Sequence, residues 1–401
     1  MRVVTLLCVL TGIASVAWSA GHRTFDFGPR GNVGQATYDE ARGYGFEPES
    51  ELAPGRRFSV RVAEGNFRVT LTMGSDQQES RTSVAAENRR LLLEEVVVAR
   101  GKSLERSFVV NVRTPALESP PPNAPGGRAV RLTDRETGSL TWDGKLTLQF
   151  IGPRAAVRSI SIAPVEVPVL YLLGDSTVTD QARSPDASWG QMLPRFFDER
   201  IAIANHAQSG ETLKSSLTAL RLDKVLSTLR PGDWMMIQFG HNDQKSQWPQ
   251  TYADAATTYR AYLRAYIAEA RRRGATPILV TLPERGNLDV EGRVITSHGD
   301  YPDAVRDVAR EENVALIDLN LMSRSLYERL GPARIGLAFA DRGRDRTHHS
   351  NFGGYELARC IVAGIRDADP ELIGGLASHL RAESVGIAAA DGVDPFADEG
   401  L

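Results

Sequence analysis

Cysteine is almost missing from this 401-residue chain, which holds only Cys8 and Cys360. With Cys8 inside a removable leader, Cys360 has no intramolecular partner, so a disulfide framework is excluded and stability has to come from packed apolar cores. Cys360 lies in the apolar stretch from Leu357 to Ile365 and reads as a buried structural thiol rather than a nucleophile. An excess of one charge is missing too: 47 Lys plus Arg face 50 Asp plus Glu, a formal net charge of -3, which offers nucleic acid no broad electrostatic attraction. Long apolar runs are also lacking. The run from Val3 to Val16 falls short of the roughly 20 residues that cross a bilayer, and no later segment approaches that length. Arg2 ahead of it and Ala17, Ser19 and Ala20 behind it make residues 1–20 a secretory signal peptide pattern, with cleavage after Ser19 or Ala20 and a secreted or periplasmic mature chain. A buried N-terminal helix is the alternative. His206, His241, His298 and His348 are scattered without zinc-type spacing, so neither a metal nor an organic cofactor is expected. No internal repeat is apparent, and nothing in the sequence specifies an oligomeric state.

What is present has two textures. The 42% hydrophobic and 24% charged fractions are those of a globular protein, and the length accommodates two domains. From residue 21 to 165, short runs alternate apolar and polar side chains: Phe58, Val60 and Val62, then Phe67, Val69, Leu71 and Met73, with the turn Glu64-Gly65-Asn66 between them. Ser107 to Val112 and Lys145 to Phe150 continue the pattern, which predicts an antiparallel β-sandwich. The Pro-rich segment Ser119 to Pro125 is expected as a surface loop within it, because strand-like sequence resumes afterwards. From 166 to 381, continuous apolar runs alternate with amphipathic helical patterns, as in a parallel sheet covered on both faces. Strands are expected at Val167 to Leu173, Ile201 to Ala204, Trp234 to Phe239, Thr276 to Leu282 and Val314 to Leu319. These define an α/β fold class, a three-layer α/β/α, doubly wound five-stranded parallel sheet of flavodoxin-like form. Tyr259, Leu263, Tyr266, Ile267 and Ala270 recur at helical spacing, with Gly274 placed to end that helix. Residues 382–401 are Ala-, Gly- and Asp-rich without periodicity and are expected as a flexible tail.

The first parallel strand runs into Leu173-Gly174-Asp175-Ser176-Thr177, and open parallel sheets bind ligands beyond the carboxyl ends of their strands. Ser176 therefore stands where a nucleophile is expected, although a serine opening a helix is more often a cap. A serine hydroxyl needs a base, and the base needs an orienting group. Asp345-Arg346-Thr347-His348 supplies both within one turn, with the adjacent His349 left open by spacing and a polar loop before a helix capped by Ser350 or Asn351 the plainer explanation. Attack on an ester carbonyl also requires donors for the developing oxyanion. Gly210, after the second strand, allows close approach of a backbone N–H. Asn242, after the third, offers a side-chain amide, and the Ser176 N–H completes the set. Each loop alone is an ordinary turn. Together they fall at the strand ends, and in the order, that one acyl-transfer site requires.

On Gly174-Asp175-Ser176, Gly210, Gly240-x-Asn242 and Asp345-x-x-His348 the chain resembles the SGNH (GDSL) hydrolases, whose sequence blocks are named for Ser, Gly, Asn and His. Gly174 to Asp180, Ser188 to Pro194, Asn205 to Thr212 and Gln238 to Asp243 are similar to bacterial rhamnogalacturonan acetylesterases. Phe25 to Gly28, Gly43 to Phe46 and Trp142 to Leu146 resemble a galactose-binding-like sandwich that often precedes the catalytic domain. The resemblance implies Ser176 as nucleophile, His348 as base, Asp345 as orienter and Ser176, Gly210 and Asn242 as oxyanion donors. It implies an acetylated polysaccharide or oligosaccharide, pectic rhamnogalacturonan foremost, as substrate. Some relatives carry Gly-Arg-Ser where this chain has Gly210-Glu211-Thr212, so that position offers no cation to a uronate. Trp189, Trp248 and Tyr301 are candidates to stack on sugar, and Lys214, Lys245 and Arg285 to pair with carboxylates, packing or solvated charge being the alternative for each. The competing functions are an SGNH esterase acting on xylan or a lipid ester, and a carbohydrate-binding protein without catalysis.

Overall fold

The computed structural model describes residues 21–28, 31–34, 36–48, 56–117 and 127–382. The leader at 1–20, the Pro-rich segment at 119–125 and all but the first residue of the tail at 382–401 lie outside the described residues. Among the described residues nine strands precede residue 165: β1 (Arg23–Asp26), β2 (Tyr44–Phe46), β3 (Arg56–Arg61), β4 (Gly65–Met73), β5 (Ser80–Ala86), β6 (Arg90–Val98), β7 (Leu104–Val112), β8 (Lys145–Arg154) and β9 (Val157–Pro164). Alternation sets which face is inside: in β4, Phe67, Val69, Leu71 and Met73 are buried while Arg68, Thr70 and Thr72 are only partly so, as the two-residue strand period demands. Two antiparallel sheets result, in the orders β1-β9-β4-β7 and β2-β3-β8-β5-β6. Their inner faces share one core, with Val69, Leu71, Phe108 and Ile160 from the first meeting Phe58, Val84, Leu146 and Leu148 from the second. The turn at residues 62–64 does not fold a hairpin. It carries the chain from one sheet to the other.

The next region holds β10 (Val169–Gly174), β11 (Asp186–Ala187), β12 (Ala202–Asn205), β13 (Trp234–Gln238), β14 (Thr276–Val280), β15 (Ala315–Ile317) and β16 (His349–Ser350). Its helices are α1 (Trp189–Met192), α2 (Leu213–Thr218), α3 (Arg221–Thr228), α4 (Thr258–Arg272), α5 (Tyr301–Glu311), α6 (Leu319–Arg334) and α7 (Asn351–Asp367). Five strands pair in parallel in the order β12-β10-β13-β14-β15. Both faces are covered: Leu170 and Leu172 pack with α1, α6 and α7, whereas Val169, Tyr171 and Leu173 pack with α2 to α5. Helix α4 buries the expected stripe of Tyr259, Leu263, Tyr266, Ile267 and Ala270. Gly274, at φ 73°, ends it by donating to the Arg271 carbonyl, a conformation that side chains other than glycine resist. The expected strand at 276–282 stops at Val280, yet Leu282 stays buried because it packs beneath Gly240, where an added Cβ would lie 2.9 Å from Leu282 Cδ1. Cys360, expected as buried, is only partly so: it lies on α7 and packs at the margin of the core on that side of the sheet, and burial above all pushes its thiol up to about 11, away from reactivity. Among the described residues no helix is long and apolar enough to cross a membrane.

Candidate active site

The sheet order decides where a site can form. From β10 the chain moves to one neighbour, β12, and then to the other side, to β13, and loops leaving a strand and its two flanking neighbours diverge around a crevice at such a switch point. Ser176 follows β10, Gly210 follows β12 and Asn242 follows β13. The turn carrying Ser176 is held from beneath. Asp175, fully buried, accepts from Thr177 N at 3.0 Å and Thr177 Oγ1 at 2.9 Å. The Thr177 hydroxyl in turn accepts from Gln238 Nε2 at 3.0 Å, and Gln238 Oε1 accepts from the Trp189 indole at 2.8 Å. Gly174 has to be glycine for lack of room: an added Cβ would sit 2.5 Å from Val178 Cγ2 and 2.6 Å from the Gln238 carbonyl. Ser176 does not cap a helix; backbone bonds from Val178 and Thr179 to the Asp175 carbonyl close a tight turn instead.

His348 arrives from the opposite end of the sequence. The short antiparallel pair of β11 with β16 sets Ala187 opposite His349, and Ala340 N donates to the His348 carbonyl at 2.9 Å. His348 Nε2 lies 3.0 Å from Ser176 Oγ, and His348 Nδ1 lies 2.7 Å from Asp345 Oδ2. The other Asp345 oxygen accepts from the backbone of Thr347 and His348 at 2.8 and 2.9 Å. Burial pushes the Asp345 carboxyl upward, but the bonds from the His348 backbone and ring and from Thr347 outweigh it and hold the group below its ordinary value. An ionised acceptor on Nδ1 puts that proton on Nδ1 and leaves Nε2 free to take one from serine. His349, left open by spacing, goes elsewhere: it is fully buried against Phe339, 2.7 Å from the Tyr327 hydroxyl, and burial first of all pulls it down to about 3.

The three residues expected as oxyanion donors follow three neighbouring strands. The N–H groups of Ser176 and Gly210 make no hydrogen bond among the described residues. Gly210 sits at φ 84° with open space where a Cβ would be, so glycine is required there by backbone conformation rather than by crowding. Asn242 is oriented on both sides: Lys245 Nζ donates to its Oδ1 at 2.7 Å, and its Nδ2 donates to the Glu211 carbonyl at 3.0 Å with a second N–H remaining. Lys245, a candidate for uronate binding by sequence, is thus committed to Asn242. Asp243, fully buried beneath, accepts from Leu213 N at 2.9 Å and Gly240 N at 3.0 Å.

Two of the sugar-stacking candidates are core residues. Trp189 is fully buried on Gln238, and Tyr301 is buried with its hydroxyl on the Ala253 carbonyl at 2.7 Å. Trp248 is 55% exposed and remains accessible. Arg285 is engaged by Ser297 and Thr347, and Lys214 by the carbonyls of Pro249 and Tyr252. Sequence reasoning missed Gln181, whose Nε2 donates to the Ser176 carbonyl at 3.0 Å. It also missed the buried ion pair of Arg90 with Asp180 at 2.6 Å, which joins the sandwich to the site loops. No local pattern signals a pair so far apart in the chain.

Serine hydroxyl, imidazole and carboxylate in hydrogen-bonded series, at the carboxyl end of a doubly wound parallel sheet, are the arrangement by which serine hydrolases are recognised. The chain belongs to the GDSL-like Lipase/Acylhydrolase family, whose model matches residues 172–357, and it is a carboxylic ester hydrolase. It is 34% identical over 235 residues to rhamnogalacturonan acetylesterase RhgT of Bacillus subtilis, an alignment spanning 55% of this chain and 98% of RhgT. It is 35% identical over 201 residues to the probable rhamnogalacturonan acetylesterase YesY of the same organism, spanning 49% of this chain and 92% of YesY. The uncharacterized esterase YxiM of Bacillus subtilis is 27% identical over 356 residues, 82% of this chain and 85% of YxiM. The solved structure of YxiM covers 86% of this chain and 98% of its own, at 24% identity and a TM-score of 0.49.

Proposed function

We propose that this protein is a secreted carbohydrate esterase that removes O-acetyl groups from pectic rhamnogalacturonan through an acetyl-enzyme on Ser176. The observation that carries the chemistry is the unbroken series Ser176–His348–Asp345 at 3.0 and 2.7 Å. His348 Nε2 takes the Ser176 proton as Oγ attacks the acetyl carbonyl, and the oxyanion of the tetrahedral adduct is met by the Ser176 and Gly210 N–H groups and the Asn242 amide. Collapse breaks the bond to the sugar oxygen, which leaves with the proton from His348. Water then enters, gives its proton to His348, and releases acetate and free Ser176 by the same steps. Support for a glycan substrate comes from RhgT and YesY, whose names give rhamnogalacturonan as the ester they act on. Secretion is supported by the leader pattern of residues 1–20.

Acetate release measured side by side from acetylated rhamnogalacturonan, homogalacturonan and xylan tests the substrate. Rhamnogalacturonan is expected to give the highest kcat/KM. Preference for xylan, or activity on chromogenic esters that rises from acetate to octanoate, would replace it with another glycan or a lipid ester. Purified enzyme without hydrolysis of any of them, while Ser176→Ala protein binds glycans as well as the parent, would make it a binding protein.

A further inference from the structure

A cavity of about 690 Å³ lies between the sandwich and the site loops, within the range of small-molecule sites. The sandwich side contributes Arg113, Arg135 and Trp142, and the other side Gln181, Arg183 and Asp186. It adjoins the reacting groups on two flanks. Gln181 holds the Ser176 carbonyl, and the lining residues Gln208 and Ser209 lead directly into Gly210.

The loop at 133–142 that walls it is fastened to the oxyanion side. Glu136 receives both terminal guanidinium nitrogens of Arg221 at 2.9 and 2.5 Å, Arg221 Nε donates to Glu211 at 3.2 Å, and Gln208 Nε2 donates to Thr133 Oγ1 at 2.8 Å. The Trp142 indole donates to Glu136 at 3.0 Å.

The charges around the cavity do not cancel. Of its acids, Glu136 is neutralised by Arg221 and Asp180 by Arg90, leaving Asp186. Against it stand Arg135 and Arg183, both exposed and without an ion pair among the described residues. Arg113 is 3% exposed, lies 4.4 Å over the Trp142 ring and donates through Nη2 to the Asn205 carbonyl, while its Nε and Nη1 make no hydrogen bond among the described residues. Burial, then the neighbouring Arg90, pull Arg113 down to about 9, the mark of a buried cation short of compensating charge. Arginine donors in excess at a cleft select carboxylates.

We propose that this cavity is a subsite for an acidic sugar of the glycan, in which Arg135, Arg183 and Arg113 bind the carboxylate of a uronate adjoining the acetylated residue. It rests on the glycan esterase function proposed above and adds that the sandwich supplies one wall of the substrate cleft.

The test has two arms. In the first, an oligogalacturonide without acetyl groups is titrated into Ser176→Ala protein and into the same protein carrying Arg135→Ala and Arg183→Ala, with a xylo-oligosaccharide as neutral probe. Both arginines are exposed, so the substitutions spare the core. The acidic probe is expected to bind the Ser176→Ala protein, to weaken about tenfold in the triple variant and to weaken with added salt, because exposed charges are screened over about 8 Å at physiological ionic strength. In the second arm, the parent and the Arg135→Ala/Arg183→Ala enzyme act on acetylated uronate-bearing and acetylated xylan oligosaccharides, and the KM on the acidic substrate alone is expected to rise, again about tenfold. Unchanged binding of the oligogalacturonide, or equal changes on acidic and neutral substrates, overturns the subsite. A parent that releases no acetate from any glycan overturns the esterase function instead, and the subsite is then judged by the binding arm alone.

Discussion

Asp345 uses its two oxygens differently. Oδ1 takes the backbone N–H groups of Thr347 and His348, which fixes the carboxylate on its own loop, and Oδ2 takes the imidazole. In Asp345→Asn the amide either loses those backbone bonds or turns an N–H toward Nδ1, forcing the other tautomer. We predict a fall in kcat of roughly 10⁴, as for the equivalent change in serine proteases, with KM for an acetyl ester nearly unchanged. A fall of less than about tenfold would remove Asp345 as the orienting group. Asn242→Ala removes one of the proposed oxyanion donors and is predicted to lower kcat by about 10² to 10³. Lys245→Met keeps the amide and its bond to the Glu211 carbonyl but removes the ammonium that holds Oδ1, one of its two anchors. Its kcat should fall by roughly tenfold, and steady-state kinetics identical to the parent would show that Asn242 needs no such hold.

Helix α7 delivers His348 through its N-terminus. Ser350 caps it, with Oγ accepting from Gly353 N at 3.2 Å and donating to the Leu337 carbonyl at 2.5 Å. Ser350→Ala should lower stability by about 1 kcal/mol, read as a shift in denaturation midpoint. Gly353 matters more to position. An added Cβ would stand 1.9 Å from the Ala338 carbonyl, so Gly353→Ala has to push the start of the helix and the turn at Ile335–Ala338 apart. Because Ala340, just beyond that segment, donates to the His348 carbonyl, loss of kcat together with a lowered Tm is expected, and a folded variant with parental kcat would show that α7 does not set the position of His348. At this scale the sequence was legible where periodicity had length to act. The parallel strands and α4 were found from apolar runs and a helical stripe. The strands β11 and β16, of two residues each, carry no periodic signal at all, although they are what brings His348 to Ser176.

Across the whole molecule, buried acids make stability depend on pH. Burial is the main reason Asp243 is pushed up to about 7, with the nearby Asp175 adding to it. Between an ordinary aspartate value and about 7 the folded chain keeps the Asp243 proton that the unfolded chain has released, so stability falls as pH rises through that window and levels off above it. Asp243→Asn is neutral throughout, and its Tm should decline less than the parent's from about pH 5 to about pH 8. Parallel Tm curves would show that Asp243 does not titrate in this way. The union of sandwich and site loops depends on another buried group. Arg221 lies between Glu136 and Glu211 and is 1% exposed. Arg221→Met leaves both carboxylates without their cation, a loss of about 3 to 5 kcal/mol expected in equilibrium unfolding when a buried partner is removed.

The sequence by itself determined the α/β layering, the presence of antiparallel strands ahead of it, and the placement of Ser176, Gly210 and Asn242 at successive strand ends. These follow from apolar periodicity and from chain order, both of which are local. It also offered two neighbouring histidines as candidates for the base. Only the tertiary structure decided between them, turning His348 toward Ser176 and His349 into the core beside Tyr327. It likewise gave Lys245 to Asn242, buried Trp189 and Tyr301, and joined Arg90 to Asp180 across the two halves. The physical reason is direction: composition and spacing say which groups are near along the chain, but hydrogen bonds and burial depend on where each side chain points once distant segments have packed together.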